Sequence, residues 1–422
     1  MALRHEDLRD STGIPRKAIS QPTTPPPIPV LNQPPTPPNR RSFLQTAARL
    51  ATGAATASIL PLAGCVPQAN TIPPPAAQAP PLESGSLGAA AASRNLLYGC
   101  AVDTRALAAD PAYAALIRAQ CRILVAENAM KWAALRPTPT TFRFDQADAL
   151  LAFAEANRMK LRGHNLVWHI DNPAWFDAYA TPANARQLLV EHIQTVAGRY
   201  AGRLHSWDVV NEAIEPRDGR ADGLRNSPWL RLAGDDYIEL AFRTARLADP
   251  AALLTYNDYG IEAETPEAEQ KRQAVLELLR RLIARRVPID ALGVQSHLAA
   301  LATPAAGDGP AYGPGLLRLL AAVRELGLQV FLTELDVDDR ACPANIPFRD
   351  AAVAATYRQY LDQVLAEPAV RAVLTWGITD RYTWLTNNAA KTHAQPERPL
   401  PFDPDYQPTP ACTALHTAFT HR

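Results

Sequence analysis

The chain has 422 residues, and its 42 Lys and Arg balance 42 Asp and Glu. That leaves no long-range field to gather nucleic acid, phosphate or an anionic membrane surface, so a neutral ligand is easier to accommodate. After residue 95 no run of about 20 uninterrupted apolar residues occurs, which argues against a membrane-spanning body.

Seventeen of the 39 prolines fall before residue 83, which separates the N-terminal region from the rest. Residues 1–38 form a Pro-rich leader expected to be disordered. Over residues 39–65, Asn39-Arg40-Arg41-Ser42-Phe43-Leu44 opens a stretch rich in Ala, Thr and Leu that closes at Leu62-Ala63-Gly64-Cys65. This order resembles a twin-arginine export signal ending in a lipobox, with Cys65 as the lipidated residue. The resemblance implies a periplasmic or cell-surface lipoprotein, or alternatively a secreted protein, touching a membrane only through a lipid at Cys65. The competing reading is a basic patch before a short amphipathic helix. Residues 66–93 lack an apolar pattern and read as an extended Pro/Ala-rich tether. Cys100, Cys121, Cys342 and Cys412 form no C-x-x-C pair, which speaks against structural zinc and for buried free thiols.

Residues 94–422 read as one domain. Strands are expected at 96–103, 123–128, 161–168, 204–212, 252–258, 291–297, 328–336 and 372–380. Between them, stretches such as 145–159, 183–200, 266–286 and 349–367 carry apolar residues at the three- and four-residue spacing of amphipathic helices. Eight repeats of strand then helix point to an α/β fold, the (β/α)8 TIM barrel, with its active site at the carboxyl ends of the strands. A doubly wound open sheet is the alternative, but no Gly-rich phosphate turn follows the first strand.

Seven of these strands end in polar or aromatic residues. They are Glu127-Asn128, His164 with Trp168 and His169, Asn211-Glu212, Asn257-Asp258, Gln295 with His297, Glu334 with Asp336, and Trp376 with Asp380. Any one of them taken alone could be a structural ion-pair partner; seven converging on one mouth describe a site. With no serine nucleophile elbow and no HExxH, this set suits a carbohydrate: amides and carboxylates bond hydroxyls, and indoles cover sugar faces. Glu212 and Glu334 are the candidate carboxylate pair of a glycosidase.

The segments 127–132 (ENAMKW), 162–169 (RGHNLVWH), 207–213 (WDVVNEA), 256–259 (YNDY), 295–297 (QSH), 333–336 (TELD) and 376–380 (WGITD) resemble glycoside hydrolase family ten, the endo-β-1,4-xylanases. The resemblance runs from about Leu96 to Ala418. It implies a TIM barrel, a retaining mechanism without metal or cofactor, and xylan or xylo-oligosaccharides as substrate. Glu334 is then the nucleophile and Glu212 the acid/base. His297 bonds Glu334, Asp336 fixes that imidazole, and Asn211 bonds the sugar 2-hydroxyl. Glu127, Asn128, Lys131, His164, Trp168, Gln295, Trp376 and Trp384 line the glycone side, and Tyr259 stacks on the leaving-group side. A monomer is expected.

Trp132, Trp175, Trp207 and Trp229 read as core aromatics, and His192, His205, His416 and His421 as surface or helix residues. The chain departs from the family pattern at Asp171, where Gln is usual, and at Gly260 and Asn165. Two other functions stay in view: a tethered xylan-binding lipoprotein without turnover, and a related retaining β-1,4-glucanase. In the stretch VFLTELDV, Val330 and Leu332 lie on one alternation and Phe331 on the other, Asp336 shares the side of Glu334, and Leu335 faces the helices.

Overall fold

The computed structural model describes residues 85–300, 312–387 and 395–420. The paired arginines, Cys65, most of the tether and His421 lie outside them. Among the described residues the strands are β1 (Leu97–Val102), β2 (Ile123–Ala126), β3 (Lys160–Val167), β4 (Ser206–Asn211), β5 (Leu253–Asp258), β6 (Ala291–Val294), β7 (His297–Ala299), β8 (Gln329–Asp338) and β9 (Val370–Thr375). The helices are α1 (Leu87–Ala92), α2 (Thr104–Ala109), α3 (Pro111–Gln120), α4 (Trp132–Leu135), α5 (Asp145–Ala156), α6 (Phe176–Tyr179), α7 (Ala185–Arg199), α8 (Pro228–Ala233), α9 (Tyr237–Ala248), α10 (Pro266–Ala284), α11 (Pro314–Glu325), α12 (Ile346–Val364) and α13 (Pro410–Thr420).

All strand pairs are parallel, in the order β6-β5-β4-β3-β2-β1-β9-β8, and a β6–β8 pairing closes the ring. The short β7 pairs only with the outer half of β8. Each barrel strand is followed by a helix that covers it, which is the expected (β/α)8 TIM barrel. Ala101, Ile123, Val125, Ala291, Phe331, Ala372, Leu374 and Trp376 fill the barrel, while the larger apolar cluster lies between barrel and helices. Gly163 makes one close approach possible: a Cβ there would fall 2.0 Å from the Trp207 ring.

Four strands carry one residue more than a neighbour: β3 between His164 and Val167, β4 between Asp208 and Val210, β8 between Leu332 and Leu335, and β9 between Val370 and Ala372. Each slip is a β-bulge that re-aims the side chains beyond it. Strict alternation would set Glu334 on the face of Val330 and Leu332, which pack toward the helices. The extra residue turns both Thr333 and Glu334 inward, where both bond Asn257, and returns Leu335 to the helix side.

The body starts earlier than expected. The tether assigned to residues 66–93 contains α1, capped by Ser86, with Leu87 and Ala91 buried against α13 and β1. A run of alanines shows no three- and four-residue spacing, yet alanine has the highest helix propensity. The expected strand at 291–297 breaks after Val294, because Ser296 takes a left-handed φ of 63°. Trp376 to Asp380 leave β9 and form the loop above it.

Candidate active site

The strand ends bring the paired carboxylates to one mouth, joined by a chain of side-chain amides. Asn257 Nδ2 donates to Glu334 Oε1 at 2.7 Å and to Asn211 Oδ1 at 2.9 Å, and Asn211 Nδ2 donates to Glu212 Oε1 at 3.1 Å. Gln295 Nε2 donates to the same Glu212 oxygen at 2.9 Å, and Trp168 Nε1 to the other at 2.8 Å. Glu212 itself sits at φ 58°, left-handed for a residue with a Cβ. Such strain persists where the surroundings over-determine the conformation, as these amide and indole bonds do.

Glu334 Oε2 lies 3.3 Å from His297 Nε2, and His297 Nδ1 lies 2.8 Å from Asp336 Oδ1. Trp384 Nε1 donates to the other Asp336 oxygen at 2.8 Å. On the opposite side His164 stands 4.0 Å from Glu334, its Nδ1 3.0 Å from Asp208, which in turn pairs with Arg162 inside the barrel. These contacts push the two glutamates apart electrostatically. Burial raises the Glu212 carboxyl above the usual range, and the charges of Asp258 and Glu334 add to this against the bonds from Gln295 and Trp168. Burial also acts to raise Glu334, but the bond from His297, the nearby His164 and the Asn257 amide win and hold it below the usual range. Burial lowers His297, yet Asp336 and Glu334 outweigh it and hold the imidazole well above its ordinary value.

The remaining expected residues flank this centre. Asn128 Oδ1 accepts from Lys131 Nζ at 3.0 Å, and Lys131 stands 5.2 Å over Trp168 and 5.9 Å from the Trp376 ring. Burial and the Asp103 charge raise Glu127 to about 7, against Lys131 and Asn128. Asp171 accepts the Ala133 N–H at 3.4 Å, on the Lys131 flank. Asn165 Nδ2 lies 3.3 Å from His164 Nε2, and Gly260 takes a φ of 69° that glycine adopts without strain. Tyr259 lies on the other flank, where Arg225 ties it to the centre: Nη2 donates to its hydroxyl at 3.0 Å, and Nε to the Glu212 carbonyl at 2.8 Å.

Sequence reasoning gave no role to Asn257, Thr333, Asp208 or Arg225. Asn257 was visible as a polar strand end; Arg225 belongs to a loop with no periodic signal. Trp132, Trp207 and Trp229 are buried and Trp175 packs against the core, as expected. His192 is on helix α7, one of the two placements expected, and is fully buried there, its ring centroid 3.8 Å from that of Trp132. An imidazole on a helix face is polar in sequence, but neutral and stacked it packs as an aromatic. Cys100 and Cys121 are buried free thiols, Cys342 is buried, and Cys412 is half-buried.

Residues 86–418 match the Glycosyl hydrolase family 10 model. The thermostable celloxylanase of Thermoclostridium stercorarium is 36% identical over 341 residues, covering 73% of this chain and 83% of that protein. Endo-1,4-beta-xylanase C of Paenibacillus barcinonensis is 34% identical over 347 residues, 75% of this chain, which spans only 30% of that longer relative. Among solved structures, xylanase 10B from Thermotoga petrophila RKU-1 in complex with xylobiose superposes with a TM-score of 0.70 at 31% identity, over 81% of this chain and 98% of that one. With the barrel and its paired carboxylates in place, these matches show that the chain belongs to glycosyl hydrolase family 10.

Proposed function

We propose that the protein is a retaining endo-β-1,4-xylanase that cleaves internal bonds of xylan by double displacement. The observation that carries this reading is the opposite displacement of the two carboxyls, Glu334 toward the anion and Glu212 toward the acid. Glu334 attacks the anomeric carbon while Glu212 gives its proton to the departing oxygen, leaving a glycosyl ester. Esterification removes the negative charge beside Glu212, its pKa falls, and it takes a proton from the water that frees the sugar. His297, braced by Asp336, orients Glu334, and Asn211 bonds the 2-hydroxyl. Trp168, Trp376 and Trp384 cover sugar faces; Glu127, Asn128, Lys131, His164 and Gln295 bond hydroxyls; and Tyr259 receives the leaving chain.

Initial rates on aryl β-xylobioside and aryl β-cellobioside test the substrate. The xylanase reading expects the larger kcat/KM on the xylose compound. Comparable or higher values on the glucose compound turn the assignment to a retaining β-1,4-glucanase, a reading favoured by the celloxylanase name of one relative. Absence of turnover on both leaves the xylan-binding protein.

We also propose export by the twin-arginine route, lipidation at Cys65 and a monomeric body. The order of Arg40-Arg41-Ser42-Phe43-Leu44 before Leu62-Ala63-Gly64-Cys65 supports the first two. Palmitate labelling that survives Cys65→Ala rejects the anchor, and sedimentation equilibrium decides the oligomeric state.

A further inference from the structure

Behind Tyr259 the structure seals a positive charge. Lys271, on α10, is 5% exposed, and its Nζ lies 3.7 Å from the centre of the Tyr259 ring and 2.8 Å from Asp258 Oδ1. The contact with Asp258 is an ion pair out of hydrogen-bond line, and Nζ is closed off from solvent, so it touches no sugar. Asp258, a polar strand end to which the proposed mechanism gives no role, is wholly buried. Its Oδ1 also accepts the Tyr259 N–H at 2.9 Å, and its Oδ2 accepts the Tyr256 hydroxyl. A cation and two donors are partners that suit a carboxylate.

A carboxylate buried here acts on the acid/base. The Glu212 N–H donates to the Asn257 carbonyl at 2.8 Å, which sets Asp258, the next residue, close by at the mouth. Of the two charges that raise Glu212, Asp258 weighs more than Glu334. They also differ in time. The Glu334 charge vanishes when the ester forms, whereas that of Asp258 persists through both halves of the cycle. Left bare, it would favour a proton on Glu212 in the half-reaction where Glu212 has to take one from water.

The surrounding charges leave its neutralisation to Lys271, which among the described residues is the one cation in ion-pair contact with Asp258. In the loop after β4, Arg217 and Arg225 stand 2.8 and 3.5 Å from Glu215, and Arg225 also bonds the Tyr259 hydroxyl. On α10, Arg272 is held by Glu269 and by the Ile261 and Ala263 carbonyls, and Glu267 is exposed at the start. His169, after β3, is pushed down to about 4 by burial, Arg225 and Lys271, so it brings no charge at neutral pH. Burial raises Glu262 and Tyr256, which favours their neutral forms, and His297 is engaged with Glu334 and Asp336.

We infer that Lys271 is a positioning residue for the acid/base: sealed behind Tyr259, it neutralises Asp258 so that Glu212 can both give and take a proton within one turnover. In the second half the water oxygen bonds the anomeric carbon, the ester C–O bond breaks with its electron pair returning to Glu334, and the water proton passes to Glu212. The inference rests on the retaining reading and adds the group that balances its acid/base.

Lys271→Met, Asp258→Asn and the double variant test it. On linear xylo-oligosaccharide the alkaline limb of kcat/KM is expected to rise by about one pH unit in Lys271→Met, to fall in Asp258→Asn, and to stay near that of the parent in the double variant. On an activated aryl xylobioside, whose first step needs little acid, Lys271→Met should lower kcat about tenfold on the acid side of the profile while kcat/KM holds. Azide, which attacks the ester without a base, should restore that kcat. Limbs that coincide in the folded variants, or an equal loss in kcat and kcat/KM that azide leaves unchanged, overturn the inference. Should one single variant fail to fold, the shift in the other and its cancellation in the double variant decide. The parent tests the retaining reading by itself: release of the α-anomer first from xylo-oligosaccharide, or no turnover, overturns that reading. In that event NMR titration of the Glu212 carboxyl in parent and variants still decides the coupling: midpoints that move apart support it, and coincident midpoints reject it.

Discussion

Glu334 and Glu212 differ in their neighbours more than in their burial, and their titration separates accordingly. Both are nearly inaccessible, at 5% and 7% exposure, so desolvation raises both. Only Glu334 has the His297 bond and His164 to reverse the effect. A bell-shaped kcat/KM profile follows, the acid limb set by Glu334 below the ordinary carboxylate range and the alkaline limb by Glu212 above it. Glu212→Gln should remove the alkaline limb when measured with an activated aryl xylobioside, whose departure needs little protonation. Glu334→Ala should abolish turnover while the circular dichroism spectrum stays that of the folded chain. Glu127 permits a stability test. Its folded pKa of about 7 exceeds the unfolded one, so its contribution is complete below the ordinary carboxylate value and is lost as pH rises toward 7. The melting temperature of Glu127→Gln should therefore fall less than that of the parent between pH 4.5 and 7.

At the scale of elements, β3, β4 and β8 position the site through their irregularities. Hydrophobic alternation made those strands legible, since VFL and WDVV are core runs in any parallel barrel. The bulges were not legible, because an inserted residue leaves no compositional mark: Thr333 beside Glu334 and Val209 beside Val210 look like ordinary strand residues. The amide chain from Glu212 through Asn211 and Asn257 to Glu334 was hidden for a related reason. It depends on register between β4, β5 and β8, and register arises only when the ring closes. Packing between β3 and β4 is tight, so Gly163→Ala should overpack Trp207 and cost about 1–3 kcal/mol, read as a lower melting temperature. Arg225 joins the loop after β4 to the Tyr259 flank. Arg225→Met should lower kcat/KM on xylo-oligosaccharides about tenfold or more, with a smaller loss on an activated aryl xylobioside that places no sugar on Tyr259.

Among the described residues, the packed body opens with α1, which lies against the closing α13. A chain starting at Gly85 should keep the melting temperature and the aryl xylobiosidase rate of the full protein. One starting at Asn95 exposes the faces that Leu87 and Ala91 cover and should melt earlier. The eight-fold strand and helix rhythm could be read from residues alone because each repeat is local. The start of the body could not, because polyalanine helix and polyalanine linker share one composition and differ only in what they pack against. The slip in β8 has a further consequence for how this chain tolerates change. A strand whose last turn of side chains depends on one supernumerary residue has something like a reading frame. Pairing β8 with β9 in strict alternation, with Thr333 retained, would keep every chemical group of the site and yet deliver a leucine to the sugar and the carboxylate to the helix layer. Spacing here is as much a determinant of chemistry as identity.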